Sequence, residues 1–261
     1  MTDTSRYSAH IGYLFNEWPL EARIEAARAA GFSAIEHPAP YSVPAETMAA
    51  LLREAGLPYV QFGLRSGDAA RGEKGIAIFP DRRDEFRANL AEAFDYAEAI
   101  GVRMLHAMAG VLPEAERRPE HRACYLENLA LAAEEAERRG IRIIVEAMSP
   151  GAVPDYFLPT AAAAREAIAE AGHANLGLLL DIFHTVAAGD DPITAIHASR
   201  DTIAHVHIAD HPGRHEPGSG TIDFATVRSA LADIGYAGFI GCEYVPAGAT
   251  ADGLGWLPRR P

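Results

Sequence analysis

IRIIVEAM (residues 141–148), LGLLLDIFH (176–184), IAHVHIAD (203–210) and GFIGCEYVP (238–246) decide how this chain is read. Each is an apolar run of strand length that ends at, or just past, a residue type that binds metals: Glu146, Asp181, His207 and Glu243. Successive runs lie roughly one strand-plus-helix unit apart, so neighbouring parallel strands would carry all four side chains to one face. Three carboxylates placed together repel one another, and a divalent cation is the simplest compensation. The oxygen-rich donor set suits Mn²⁺, Mg²⁺ or Co²⁺, with Zn²⁺ also compatible. One buried acid at a strand end is as readily structural as functional; four in consecutive units argue for one site.

Working outward from these runs, apolar stretches alternate with Ala-, Glu- and Arg-rich helical ones, the signature of repeated βα units. The pattern predicts strands near 8–14, 33–37, 58–64, 103–109, 142–148, 176–183, 203–209 and 238–244. It predicts helices near 19–30, 44–55, 81–100, 121–139, 160–171, 191–199 and 223–234. Gly31, Gly56, Gly101, Gly140 and Gly235 each stand between a helical run and the next strand, as C-terminal caps do. Eight strands suffice to close an α/β (β/α)8 TIM barrel, and the chain length of 261 residues suits one such domain over 1–261. The eighth helix is expected to be short or irregular, because little helical sequence follows Glu243. A doubly wound open sheet is the rival, but no Gly-rich phosphate turn follows the first strand. Two connections, 65–80 and 210–222, are long; in a barrel they lie on the catalytic face and are candidates for a lid and for substrate contact.

Smaller signals surround the four runs. His184 stands three residues past Asp181 in DIFH and can face the same cavity. His205 and His207 alternate along one strand and therefore point the same way. His10 and His106 also lie in strands, where a polar core or supporting role is the stronger reading. Arg214, in HPGRHEPGSG, could grip a carboxylate with both guanidinium nitrogens; a solvated loop arginine is the competing reading. Gly218 and Gly220 permit a tight turn, and Asp223 can cap the helix that follows. Cys242, beside Glu243, reads as a packing thiol. Trp18 is placed either to cover the pocket or to join copies of the chain in a homo-oligomer.

The net charge of −13 opposes a polyanion, so nucleic acid is not an expected partner. Two cysteines, Cys124 and Cys242, suggest no disulfide framework and a reducing compartment. The opening MTDTSRYSAH lacks the basic-then-apolar pattern of a leader, and no apolar stretch reaches the ~18 residues of a membrane span. The expectation is a cytoplasmic protein with a small-molecule substrate.

Several motifs together resemble the hydroxypyruvate isomerase family of xylose isomerase-like TIM barrels, and especially its 2-oxo-tetronate isomerase branch. They are FNEWPLEARIEAARAAGF, PAPY, SGDAARGEKGIAIFPDRRDEFR, LHAMAG, VEAMSP, DIFH, HIADHPGRHEPGSGTIDF, GCEYVPAG and GLGWL, spanning about residues 10–257. The resemblance implies that Glu146 and Glu243 bind one divalent metal and carry out the proton transfers, with Asp181 and His207 completing the metal shell. It implies that His184 and Arg214 contact substrate oxygens and that Glu216 supports their loop. The expected reaction is an aldose–ketose type isomerisation of a small hydroxy-oxo acid through an enediolate. A ketose 3-epimerase with the same site is the alternative, and a metal-binding barrel without turnover is another. The chain departs from the family at several points. His207 stands where the isomerase branch often has Gln, and histidine is usual in the sugar-epimerase relatives. EPIN is replaced by Glu146-Ala147-Met148-Ser149, a His-Asn pair by Phe62-Gly63, and a loop Trp by Ala69. The last three changes are expected to touch the substrate pocket.

Overall fold

The computed structural model describes residues 6–258; the first five and last three residues, and with them half of MTDTSRYSAH, lie outside the described residues. Eight parallel strands form one sheet: β1 (Tyr7–His10), β2 (Ala34–Glu36), β3 (Phe62–Gly63), β4 (Met104–His106), β5 (Arg142–Glu146), β6 (Leu176–Asp181), β7 (Ile203–Ile208) and β8 (Ile240–Cys242). Their order is β2-β1-β8-β7-β6-β5-β4-β3, so first and last strands meet inside the sheet and the ring is nearly closed. At the remaining seam, Ile35 forms a single parallel bridge with Tyr59. There Ile35 N–H donates to Pro58 O (3.0 Å) and Val60 N–H to Ile35 O (2.8 Å).

The helices are α1 (Leu20–Ala29), α2 (Ala45–Ala55), α3 (Arg83–Ile100), α4 (Pro119–Glu137), α5 (Ala161–Ala171), α6 (Ile182–Ala187), α7 (Pro192–Ala198) and α8 (Phe224–Asp233). After β8 comes only a 3₁₀ helix, Thr250–Trp256, which is the short and irregular eighth helix the sequence predicts. Local chemistry fixes the ends. Thr160 Oγ1 accepts the Ala163 N–H (3.2 Å) at the start of α5, and Asp223 accepts the Ala225 and Thr226 N–H groups at the start of α8. All five glycines expected at helix ends adopt positive φ. The LGLLLD run of β6 is buried along its whole length, because helices cover a parallel barrel outside and side chains fill it inside. Each buried leucine there contributes about 1.5–3 kcal/mol.

Most strands are shorter than the apolar runs suggest. β1 ends at His10, where the Tyr13 and Leu14 N–H groups donate back to His10 O (2.9 and 3.0 Å) and turn the chain. In LGLLLDIFH the strand stops at Asp181, whose Oδ1 accepts the His184 N–H (3.1 Å) and caps α6, so Ile182 to His184 are helical. The 65–80 connection is also not lid throughout. Gly75 to Ile78 are buried, Gly75 bridges Ala109, and Ile78 N–H donates to Ala109 O (3.1 Å). Only the stretch before Gly75 stands outside, tied by Glu73 to the Asp68 N–H (2.8 Å) and to Arg82 (2.9 Å). Phe62 corrects another expectation. It is fully buried among the rings of Tyr41, Tyr59 and Tyr96, at 5.7, 6.1 and 5.5 Å, and belongs to the layer between sheet and helices rather than to the pocket.

Candidate metal centre and acid–base site

The ladder brings the four residues together. Asp181 pairs with His207 across β6 and β7, Glu146 ends β5, and Glu243 follows β8 with its N–H on Ile208 O (3.2 Å). One ligand atom from each of Glu146, Asp181, His207 and Glu243 lies within 4.8 Å of all the others. Three of these groups carry buried atoms with no hydrogen-bond partner: Glu146 Oε1, Asp181 Oδ2 and His207 Nδ1. Buried polar atoms are ordinarily paired, so orphaned acceptors converging on one point fit a divalent cation.

Charge is distributed unevenly over the two glutamates. Burial and the nearby Glu243 push the Glu146 carboxyl well above the usual range, against the pull of His207. Burial also opposes charge on Glu243, but Arg214, His207 and His10 outweigh it and hold that carboxyl well below the usual range. Two carboxyls in one site are thereby driven apart, the electrostatic pattern of an acid and a base. Burial lowers His10 and His106, which flank the pair: His10 Nε2 is 3.3 Å from Glu243 Oε1, and His106 Nε2 is 3.7 Å from Glu146 Oε2. Both histidines, for which a polar core or supporting role is expected, are buried beside the two glutamates.

His184 is buried on the first turn of α6, and its Nδ1 accepts the Ser149 backbone N–H (3.2 Å). That bond leaves the proton on Nε2, which lies 3.9 Å from Asp181 Oδ2, so the ring offers an N–H to the cavity. Burial keeps this imidazole below its ordinary range, and therefore neutral, despite the pull of Asp181. Ser149, the last residue of the EAMS departure, thus orients His184.

Arg214 is not a solvated loop residue. It is four-fifths buried, its guanidinium lying between the rings of Tyr13 (5.3 Å) and Phe183 (5.2 Å). It pairs closely with Glu243 and stands 3.7 Å from Asp181 Oδ2. Its backbone holds φ 54°, a left-handed conformation unusual for a non-glycine residue. Asp210 stabilises this loop: its carboxylate accepts the N–H groups of His211, Gly218, Gly220 and Ile222 at 2.8–3.0 Å. Glu216 faces the segment after β8, where it accepts the Ala247 N–H (3.1 Å), and is not among the four clustered groups. Trp18 is 56% exposed and Cys242 is fully buried.

Sequence reasoning passed over Glu36, Gln61, Tyr13 and Asp210. Glu36 carried the same signal as the four chosen residues, an acid ending the apolar run SAIE, but the run is short. It sits inside the barrel with its Oε2 shared by His205 Nε2 (2.8 Å), His207 Nε2 (3.0 Å) and Gln61 Nε2 (2.9 Å).

The model of the xylose isomerase-like TIM barrel matches residues 24–260. A 2-oxo-tetronate isomerase of Cupriavidus necator is 38% identical over 97% of this chain and 97% of its own. The chain belongs to the hydroxypyruvate and 2-oxo-tetronate isomerase family of xylose isomerase-like TIM barrels. The hydroxypyruvate isomerase of Escherichia coli is 32% identical, covering 97% of this chain and 98% of that one. Among solved structures, one described as an AP endonuclease, family 2, from Brucella melitensis superposes with a TM-score of 0.94 at 34% identity, over 97% of each chain. No helix among the described residues is long and apolar enough to cross a membrane.

Proposed function

We propose that this protein is a divalent-metal-dependent isomerase that moves the carbonyl of a small 2-oxo hydroxy acid from C2 to C3, giving the aldehyde isomer from hydroxypyruvate or the 3-oxo isomer from a 2-oxo-tetronate. The observation that carries the reading is geometric: one ligand atom from each of Glu146, Asp181, His207 and Glu243 lies within 4.8 Å of the others, and Glu146 Oε1, Asp181 Oδ2 and His207 Nδ1 have no hydrogen-bond partner. Glu146, Asp181, His207 and Glu243 would hold the ion, with Mn²⁺, Mg²⁺ or Co²⁺ favoured by the three carboxylates. When bound, the ion supplies positive charge where the enediolate develops negative charge.

The chain's own residues do the rest. One glutamate removes the proton from C3 of the oxo acid and the other delivers a proton to C2, while the hydroxyl proton passes from the C3 oxygen to the C2 oxygen. Starting from hydroxypyruvate this yields the aldehyde isomer with every atom retained. Arg214, rigid between two aromatic rings, suits the substrate carboxylate, and the His184 Nε2–H suits a carbonyl or hydroxyl oxygen. Glu216, in the same loop as Arg214, ties that loop to the segment after β8 through the Ala247 N–H (3.1 Å). The whole chain would act as one domain in the cytoplasm, with a small carbohydrate or hydroxy-oxo acid as its partner.

A ketose 3-epimerase is the second reading, favoured by His207 where the isomerase branch often carries Gln. The two reactions share the first proton abstraction and differ in where the proton returns. Mn²⁺-loaded protein incubated in D₂O with hydroxypyruvate, a 2-oxo-tetronate and a panel of ketoses separates them by NMR. Deuterium at C3 of an oxo acid with appearance of its isomer, the aldehyde from hydroxypyruvate or the 3-oxo acid from a 2-oxo-tetronate, is the expected result. Exchange at C3 of a ketose with inversion there moves the assignment to the epimerase, and no exchange on any of them removes the enediolate reading.

A further inference from the structure

We infer that Glu36 is a positioning residue that sets which edge of the His207 ring faces the metal centre, and that Gln61, His205 and the bare backbone of Gly241 exist in this chain to hold Glu36 in place. The inference rests on the metal-centre reading above and extends it to residues that the centre itself does not include.

An imidazole offers a cation only one productive edge at a time. Turning the ring over exchanges Nδ1 with Cδ2 and Nε2 with Cε1, so a flipped His207 presents carbon to the cluster. In the structure Nδ1 faces the cluster, 3.6 Å from Glu243 Oε2, and Nε2 faces Glu36 Oε2 at 3.0 Å. A carboxylate oxygen only accepts, so the proton of that bond sits on Nε2, and Nδ1 is the ring nitrogen left to face a cation. A flip would break the bond to Glu36 and leave its charge short of a donor in a fully buried position.

Glu36 is itself fixed. Its Oε2 also accepts from His205 Nε2 (2.8 Å) and from the Gln61 amide (2.9 Å). The ladder places it: Glu36 is in register with His10 on β1, and His207 is in register with Gly241 on β8. Gly241 is where a side chain would otherwise fill the interior. A Cβ there would overlap Glu36 Oε1 and lie 2.6 Å from His207 Cδ2. That contact gives a physical reason for the glycine in GCEY.

Glu36, His205 and His207 could also be read as three ligands of a second ion, since one atom of each lies within 4.8 Å of the others. The Gln61 amide argues against this. It donates to the same Oε2 that both histidines face, and a cation at that point would meet the positive end of an N–H dipole.

The test is Mn²⁺ titration of chelator-treated full-length protein, wild type against Glu36→Gln, by calorimetry with electron paramagnetic resonance counting free ion. Outer partners of ligating histidines typically contribute about 10–100-fold in metal affinity, and a loss of that size with unchanged one-ion stoichiometry is expected. Long-range ¹H–¹⁵N spectra of the Zn²⁺-loaded protein, labelled at histidine, report the ring directly. Wild type should show His207 protonated at Nε2 alone, and the variant should lose that single pattern. Where Glu36→Gln does not fold, Gln61→Met removes only the amide that fixes Glu36 and should still weaken Mn²⁺ binding, by less. Wild-type affinity in folded Glu36→Gln, or two ions per wild-type chain with one lost in the variant, overturns the inference. Wild-type protein that binds no Mn²⁺ overturns both the centre and this inference. Mn²⁺ binding that Glu36→Gln weakens, in a protein without turnover, overturns only the isomerase assignment.

Discussion

The two halves of the barrel contribute different things to the site. β5, β6 and β7 run for five, six and six residues and, with β8, place Glu146, Asp181, His207 and Glu243. β2, β3 and β4 run for three, two and three residues, and β1, β2 and β4 place the groups that lean on those four: His10 against Glu243, Glu36 against His207, and His106 against Glu146. The proposed ligands thus come from one side of the ring and their supports largely from the other. Chemistry that needs fixed geometry gains from this division, because the supporting side chains hold the orientation of the four clustered groups.

The comparison can be broken most severely at the ion. Dialysis against a chelator should bring turnover of the oxo acid to background, and added Mn²⁺ should restore it; full turnover in verified metal-free protein would remove the ligand half from the account. Arg214→Lys is the next largest change. It keeps the charge but loses the two-pronged grip and the ring stacking, so kcat/KM for an oxo acid should fall about 10–100-fold, the equivalent of roughly 1.5–3 kcal/mol for a charged hydrogen bond. Neutral ketoses should be affected less, and an equal loss on both would detach Arg214 from the carboxylate. The smallest effect on activity is expected at Phe62→Leu. Thermal denaturation should show a loss on the order of 1–2 kcal/mol from the ring cluster with Tyr41, Tyr59 and Tyr96, while kinetic constants stay at wild-type values. A large change in KM there would return Phe62 to the pocket.

The convergence of Glu146, Asp181, His207 and Glu243 was legible in the sequence because long apolar runs ending in an acid or a histidine are conspicuous, and a buried parallel strand needs such a run. The same chemistry in the other half was hidden by brevity. SAIE carries Glu36 on a three-residue strand, and Gln61 lies in the irregular approach to β3. Periodicity cannot flag a residue whose element is shorter than its period. Helix ends were readable from Gly and Asp caps, but the stop of β6 at Asp181 was not, because the apolar Ile182 and Phe183 suit a buried first helical turn as well as a strand. The Phe62 error has a related cause. Which face of a two-residue strand points inward depends on its register with Leu105 and His106 of β4, and sequence alone does not contain that pairing.

The central claim is that Glu146 and Glu243 share the proton transfers as base and acid. It is tested most directly by isotope exchange in Glu146→Gln and Glu243→Gln, each incubated in D₂O with the oxo acid that wild type turns over, with bound Mn²⁺ measured alongside. Both variants should lose isomerisation by about 10²–10⁴-fold. The variant lacking the base should also fail to exchange the C3 proton, and the other should place deuterium in recovered substrate without forming the isomer. Isomerisation at the wild-type rate in either metal-loaded variant would contradict the account.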